Sequence, residues 1–406
     1  MKVSEGVFRS TLAYHKMSTS LGLVVLIVLM AMEPVRSDSC GFSGLFAFGD
    51  SLTDTGNAVT AYPQAFLGLV LPYGETYFGQ PSSRASDGRL TIDFVASSMG
   101  LPFVEPYLQS MSASFKHGAN FAAAGGTALP SNANPFDLSV QFQWYKTFKS
   151  SVLNAYGSKA TGTGSLPDPS IFQNALYVIS IGGNDYFGAY GHNVPIDNVK
   201  YELVPTVVNS IKHTLEGLYS EGARNFLLWN VPAQGCSLAL LQRFTSGGPQ
   251  DDQDQADLDD LGCLKVFNEV SALHGSQLQT MVDTFFYQRQ GNMSISIADY
   301  YTINYDVLKN PSKYGFWNTM QSCCGAGPSR YNYNPGAICA GAPQWDRGQV
   351  IASSTCDSPS GYVNWDGIHF TEAMNHVVAR ASLSGQYLHH PTDQSSVLKR
   401  CNFILG

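Results

Sequence analysis

The run Leu176-Tyr177-Val178-Ile179-Ser180-Ile181 constrains this chain more than any other stretch, because its apolar side chains fall on both alternating faces of an extended segment. A strand of that kind needs cover above and below. Comparable runs at Gly44–Phe48, Asn120–Ala124, Asn225–Val231 and Ile295–Tyr300 are separated by long segments of helical or irregular character. One of these, Val204–Tyr219, has apolar positions near helical spacing, Pro205 where a first turn tolerates it, and Gly222 as a stop. The alternation predicts an α/β architecture built on a parallel sheet. No internal repeat and no linker rich in Pro, Gly or Ser divides the chain, so residues 38–406 read as a single domain. With 44% apolar and 13% charged residues among 406, the chain has the material for one large core. The net charge is −8 and Lys and Arg nowhere cluster, which argues against nucleic acid as a partner.

The amino terminus sets the expected compartment. Lys2, Arg9 and Lys16 precede an apolar run from Leu21 to Met32, and a polar stretch follows to Ser37. This is the layout of a secretory signal peptide, assigned to residues 1–37. The run is about twelve residues long, short of the roughly 20 that span a bilayer. The mature chain is therefore expected to be secreted, with no integral membrane span and with the extracellular space or cell wall as its destination; an uncleaved anchor is the competing reading. Eight cysteines, at 40, 236, 263, 323, 324, 339, 356 and 401, all follow the cut. In an oxidising compartment they predict four disulfides, for which 105 connectivities exist. Adjacent Cys323 and Cys324 cannot readily bond to each other and are expected to take different partners, with pairing partly inside the set Cys323, Cys324, Cys339 and Cys356. No cysteine pair has zinc-site spacing, and the six aspartates of Asp251–Asp260 lack the glycine and spacing of a calcium loop. No metal and no cofactor is expected. Asn292-Met293-Ser294 is the glycosylation sequon.

Chemistry concentrates where predicted strands end, the edge at which open α/β sheets bind ligands. Ser51 follows the first run in Phe46-Ala47-Phe48-Gly49-Asp50-Ser51-Leu52-Thr53-Asp54, where a tight turn can present its hydroxyl beside backbone amides. Taken alone it reads as an ordinary helix cap. Gly125-Gly126 lies after the second run, where glycine lets an amide approach a ligand. Asn184, in Gly182-Gly183-Asn184-Asp185-Tyr186, offers a side-chain amide after the third. Taken singly, both are turn signals. In Trp365-Asp366-Gly367-Ile368-His369 a carboxylate and an imidazole stand three apart, close enough for Asp366 to hold Nδ1 of His369 while Nε2 faces a serine hydroxyl. Thr371 and Glu372 then suit the start of a helix, Glu372–Leu383, which also carries His376, the nearest other histidine.

Together these blocks resemble the GDSL, or SGNH, hydrolase superfamily, and their order is closest to its secreted plant-type esterase/lipase branch. The echoes also include Thr55-Gly56-Asn57, Pro72-Tyr73-Gly74-Glu75-Thr76, Ser86-Asp87-Gly88-Arg89 and Cys323-Cys324-Gly325, so the likeness runs through most of the mature chain. The resemblance implies a flavodoxin-like three-layer α/β/α sandwich with a five-stranded parallel sheet and metal-free ester hydrolysis. It also implies Ser51 as nucleophile, His369 as base, Asp366 as its partner, and the Ser51 amide, Gly125 and Asn184 as oxyanion donors. Two positions depart from the pattern. Ser83-Arg84-Ala85 stands where the family commonly has Gly-Arg-Phe, which puts local packing in question. Gly125-Gly126 stands where one glycine is usual, which leaves Gly126 as an alternative donor. The expected activity is a monomeric serine esterase for small-molecule esters, acting on short-chain or aromatic acyl groups rather than emulsified triglyceride. An extracellular acyltransferase working through the same acyl-enzyme is the alternative, and a non-catalytic secreted binding protein is a third reading.

Overall fold

The computed structural model describes residues 41–398 apart from 64–69, 110, 133, 159–162, 246–256, 328, 347 and 394–395. The expected signal peptide, Cys40, Cys401 and the first part of the aspartate-rich stretch lie outside the described residues.

Five parallel strands form the centre: β1 (Leu45–Gly49), β2 (Gly118–Asn120), β3 (Leu176–Ser180), β4 (Asn225–Trp229) and β5 (Ser294–Ala298). Their order is β2-β1-β3-β4-β5, and a two-residue antiparallel strand, Leu388–His389, pairs with β5 as a sixth. The sheet is thus the expected parallel five with one added edge strand. In this order the chain reverses direction across the sheet between β1 and β3, the switch point where a crevice opens beyond the strand ends.

The pleat sends alternate side chains into two separate cores. Phe46, Phe48, Tyr177, Ile179, Phe226 and Leu228 meet the helices Leu138–Gly157, Val204–Ser220 and Lys265–Gln288. Leu45, Ala47, Leu176, Val178, Leu227 and Trp229 meet Thr91–Ser98, Tyr300–Lys309 and Glu372–Ser384 on the other face. Both faces are covered, as the uninterrupted apolar runs require. Val204–Ser220 carries Pro205 in its first turn, and Gly222 follows at φ +103°.

One strand is shorter and earlier than its apolar run suggests. Asn120–Ala124 is not a strand; β2 ends at Asn120. The reason is polar competition for the backbone: Asn57 Nδ2 donates to the carbonyls of Asn120 and Ala122, and the Asn120 carboxamide accepts the Ala122 amide. The amides of Phe121 and Ala123 still donate to the carbonyls of Ala47 and Gly49 on β1, but side chains take the carbonyls of Asn120 and Ala122, and regular pairing stops.

Candidate active site

Ser51 sits in the turn directly after β1, and the turn is held from three directions. Buried Asp54 accepts the amides of Gly56, Asn57 and Ala58, and also that of Ala124, the residue before Gly125. One carboxylate therefore fixes both the Ser51 turn and the approach to the glycine pair. Asn120 Nδ2 donates to the carbonyl of Thr53 and to Thr55 Oγ1. From inside a helix, fully buried Gln141 clamps Gly49, accepting its amide and donating to its carbonyl, both at 2.8 Å. Gly49 is required by space, since a Cβ there would lie 2.3 Å from the Ser180 carbonyl oxygen on β3.

His369 reaches Ser51 from the opposite side. Its Nε2 lies 2.9 Å from Ser51 Oγ, and its Nδ1 lies 2.7 Å from Asp366 Oδ2. Asp366 Oδ1 accepts the amides of Ile368 and His369, closing the loop on itself, while Tyr73 OH donates to Oδ2 at 2.8 Å. Burial opposes charge on both partners, yet their mutual attraction wins. Asp366 is drawn down to about 2 and His369 is held above its ordinary value. Asp50, buried beside Ser51, shows the contrary outcome: burial lifts it to about 7 in spite of the Leu52 amide on its carboxylate and the attraction of His369.

The segments around Asp366 and His369 are fastened to parts of the chain far away. Strand Asn318–Ser322 runs parallel to Tyr362–Asn364, and the amides of Cys323 and Cys324 then donate to the carbonyls of Asn364 and Trp365. Those two cysteines bond to Cys356 and Cys339 respectively, so the adjacent pair does take different partners within the crowded set. A third disulfide joins Cys236 and Cys263. On the other side, Asp87 accepts the Glu372 amide, Ser86 Oγ donates to the Phe370 carbonyl, and Arg89 pairs with Glu372. The Ser86-Asp87-Gly88-Arg89 block thereby ties down the residues that follow His369. Helix Glu372–Ser384 starts as expected, with Thr371 Oγ1 accepting the Met374 amide. At the divergent Ser83-Arg84-Ala85, Arg84 makes two hydrogen bonds of 2.8 Å to buried Asp93 and lies over the Phe78 ring.

The remaining two expected positions face the same crevice. Gly125 has φ +77°, a conformation that favours glycine. The Gly126 amide is already engaged with the Ala123 carbonyl at 2.9 Å. Asn184 Nδ2 donates to the Gly126 carbonyl at 2.9 Å, which turns the carboxamide toward the glycine pair. Below it, Asp185 accepts the amides of Ala128 and Leu129, and Tyr186 OH meets Nδ1 of His274, a histidine that burial keeps neutral by pulling it down to about 4. Ser51, Asn184 and His369 stand between two cavities. One, of about 70 Å³, is bordered by Asp50 and Gln234; the other, of about 320 Å³, is bordered by Tyr73, Gly125 and Tyr333.

All five expected positions thus border one crevice. A serine hydroxyl beside an imidazole whose far nitrogen is held by a carboxylate can lose its proton to that imidazole. Tyr73, Asp54 and Gln141 carry the arrangement too but have no role in the sequence reading. Tyr73 and Asp54 lie in blocks noted there, whereas Gln141 gives no local signal.

Residues 45–382 match the family described as GDSL-like lipase/acylhydrolase. A GDSL esterase/lipase of Arabidopsis thaliana is 36% identical, over 92% of this chain and 95% of that protein. A GDSL esterase/lipase of Medicago truncatula is 35% identical, over 93% of this chain and 96% of that protein. An esterase of Hevea brasiliensis is 35% identical, over 87% of this chain and 88% of that protein.

Proposed function

The chain belongs to the GDSL-like lipase/acylhydrolase family and is a carboxylic ester hydrolase, and from that premise we propose that it is a secreted serine esterase working through an acyl-serine intermediate. The observation that carries the mechanism is the continuous hydrogen-bonded line from Ser51 Oγ through His369 to Asp366. His369 Nε2 takes the Ser51 proton as Oγ attacks the ester carbonyl, and Asp366 steadies the imidazolium that results. The oxyanion is received by the amides of Ser51 and Gly125 and by the second hydrogen of Asn184 Nδ2, the first being directed at the Gly126 carbonyl. Gly125 is preferred over Gly126 because the Gly126 amide is already committed to Ala123. His369 then protonates the leaving alcohol and activates the water that releases the acid.

Short acyl groups suit the smaller cavity. Its volume is about 70 Å³, against about 320 Å³ for the other cavity. Residues 1–37 are proposed as the signal peptide and 38–406 as one hydrolase domain. The three disulfides fit secretion, and exposed Asn292 fits a glycosylated sequon.

A fluorophosphonate probe tests the nucleophile. Wild type is expected to be labelled covalently and to hydrolyse p-nitrophenyl acetate, and Ser51→Ala is expected to lose both. Labelling that survives in Ser51→Ala would remove Ser51 from the mechanism.

A further inference from the structure

A further cavity, of about 410 Å³, is walled by the helices Thr91–Ser98 and Glu372–Ser384 and shares no lining residue with the two at Ser51. Only three of its twelve lining residues, Phe94, Ala373 and Ala379, are apolar, so it suits a ligand rich in polar groups. Its hydroxyls are open to solvent: Thr76 and Ser97 are exposed and Ser98 is half-buried. Ser97 Oγ and Ser98 Oγ donate to the carbonyls of Asp93 and Phe94, and Thr76 Oγ1 donates to the carbonyl of Asp87, so what these oxygens still offer is acceptance. Arg89 is committed to Glu372 and packs between the rings of Tyr77 and Phe94, 4.0 and 4.2 Å from their centroids. The cation left over is Arg380, eight residues beyond Glu372 on the same helix face. It is exposed, and among the described residues no carboxylate pairs with it.

Two exposed rings border this wall. Tyr77 follows Thr76 and is held by Arg89. Trp317 is 67% exposed, yet its ring is fixed: a Cβ on Gly361 would lie 2.0, 2.1 and 2.2 Å from its Cζ2, Cε2 and Cη2. One face of the indole therefore covers Gly361 and the other is open. Gly361 follows the lining residue Ser360, and neighbouring Cα atoms are about 3.8 Å apart, so the ring stands beside the cavity.

We propose that this cavity and the Trp317 ring form a binding site for an acidic oligosaccharide, separate from the catalytic crevice. The carbon–hydrogen face of a pyranose ring packs on the open face of the indole. Sugar hydroxyls donate to the oxygens of Thr76, Ser97 and Ser98, and a uronate carboxylate pairs with Arg380. An apolar ligand would leave these polar groups unpaired, and a small inorganic anion would make no use of the rings.

Isothermal titration calorimetry on the full chain tests the site with trigalacturonate and with maltotriose, which has the same α-1,4 linkage and no carboxylate. Because binding is read as heat, the outcome does not depend on turnover at Ser51. Trigalacturonate is expected to bind with a Kd of about 1 mM or tighter. Maltotriose is expected to bind at least about fivefold more weakly, since it cannot pair with Arg380. Trp317→Ala is expected to weaken trigalacturonate by about tenfold or more. Arg380→Gln, at an exposed position, is expected to keep the circular dichroism of wild type and to lose the preference for trigalacturonate over maltotriose. If Trp317→Ala does not fold, Arg380→Gln decides. No binding of trigalacturonate at about 10 mM overturns the proposal. So does equal affinity of wild type for the two sugars, or unchanged affinity for trigalacturonate in Arg380→Gln or in folded Trp317→Ala.

Discussion

The turn carrying Ser51 grows from a strand inside the sheet, whereas the loop carrying Asp366 and His369 lies outside it, and the two are secured by different means. The first is held by buried polar side chains that saturate backbone groups: Asp54, Asn57, Asn120 and Gln141. The second is held through a neighbouring short strand and its disulfides, by Tyr73, and by the Ser86–Arg89 block. A position on the sheet inherits the sheet's rigidity and needs only hydrogen bonds from buried side chains packed against it. A loop beyond the sheet needs disulfides, a strand pairing and an ion pair to anchor it.

That contrast can be broken from either side. The largest effect is expected on the strand side. Asp54→Ala leaves several amides in the turn and beside Gly125 without their acceptor, at about 1–3 kcal/mol for each that stays buried and unpaired. A loss of at least about 3 kcal/mol in urea unfolding is expected, together with loss of esterase turnover. A loss below about 1 kcal/mol would show that the turn does not depend on this carboxylate.

On the loop side, reduction is expected to inactivate the enzyme while the sheet persists. The bridges Cys323–Cys356 and Cys324–Cys339 close spans of 33 and 15 residues. Each is worth about 3–4 kcal/mol in the chain-entropy model. Combined Cys323→Ser and Cys356→Ser should lower kcat by about tenfold or more with the far-ultraviolet circular dichroism retained, because imidazole placement is sensitive to shifts of about an ångström. Full activity in this variant would show that the bridge does not support the loop.

Tyr73→Phe is gentler, removing one of the hydrogen bonds to Asp366 Oδ2 while leaving the ring in its packing. Hydrogen bonds to charged groups contribute about 1.5–3 kcal/mol, of which only the part that changes as His369 becomes charged affects the rate. A fall in kcat of about five- to tenfold is expected, with KM little changed. No change in kcat, or a loss confined to KM, would separate Tyr73 from the positioning of Asp366.

The smallest effect joins the two regions through charge. In the proposed mechanism His369 must be neutral to accept the Ser51 proton, and it is held above its ordinary value, so activity is expected to fall as pH drops through that raised pKa. Asp50 contributes to holding it there. Asp50→Asn removes an anion that favours the imidazolium, so the acid limb of kcat/KM should move to lower pH. A limb that stays in place would exclude electrostatic contact between the two groups.

Much of this was legible in the chain itself. The strands read correctly where apolar residues occupy both faces, as at Leu176–Ser180, since that pattern depends only on the pleat. Asn120–Ala124 misled because Asn57, 63 and 65 residues away from the carbonyls it takes, competes for the backbone. The short antiparallel edge strand Leu388–His389 was likewise invisible, being too brief to leave a pattern. Asp366 and His369 were legible because a span of three residues lets one loop bring carboxylate and imidazole together.

By itself, then, the sequence determined what neighbours in the chain can decide: alternation along strands, the Thr371 cap, and the i to i+3 pairing of Asp366 with His369. Tertiary structure alone decided which distant groups meet. Gln141 grips Gly49 across 92 residues, and Tyr73 reaches Asp366 across 293. It also commits the Gly126 amide to the Ala123 carbonyl, which sets Gly126 apart from Gly125, its neighbour of the same residue type. The physical reason is common to these cases: a local pattern is set by covalent geometry and burial along the segment, whereas a hydrogen-bond partner far away is chosen by how the packed elements approach.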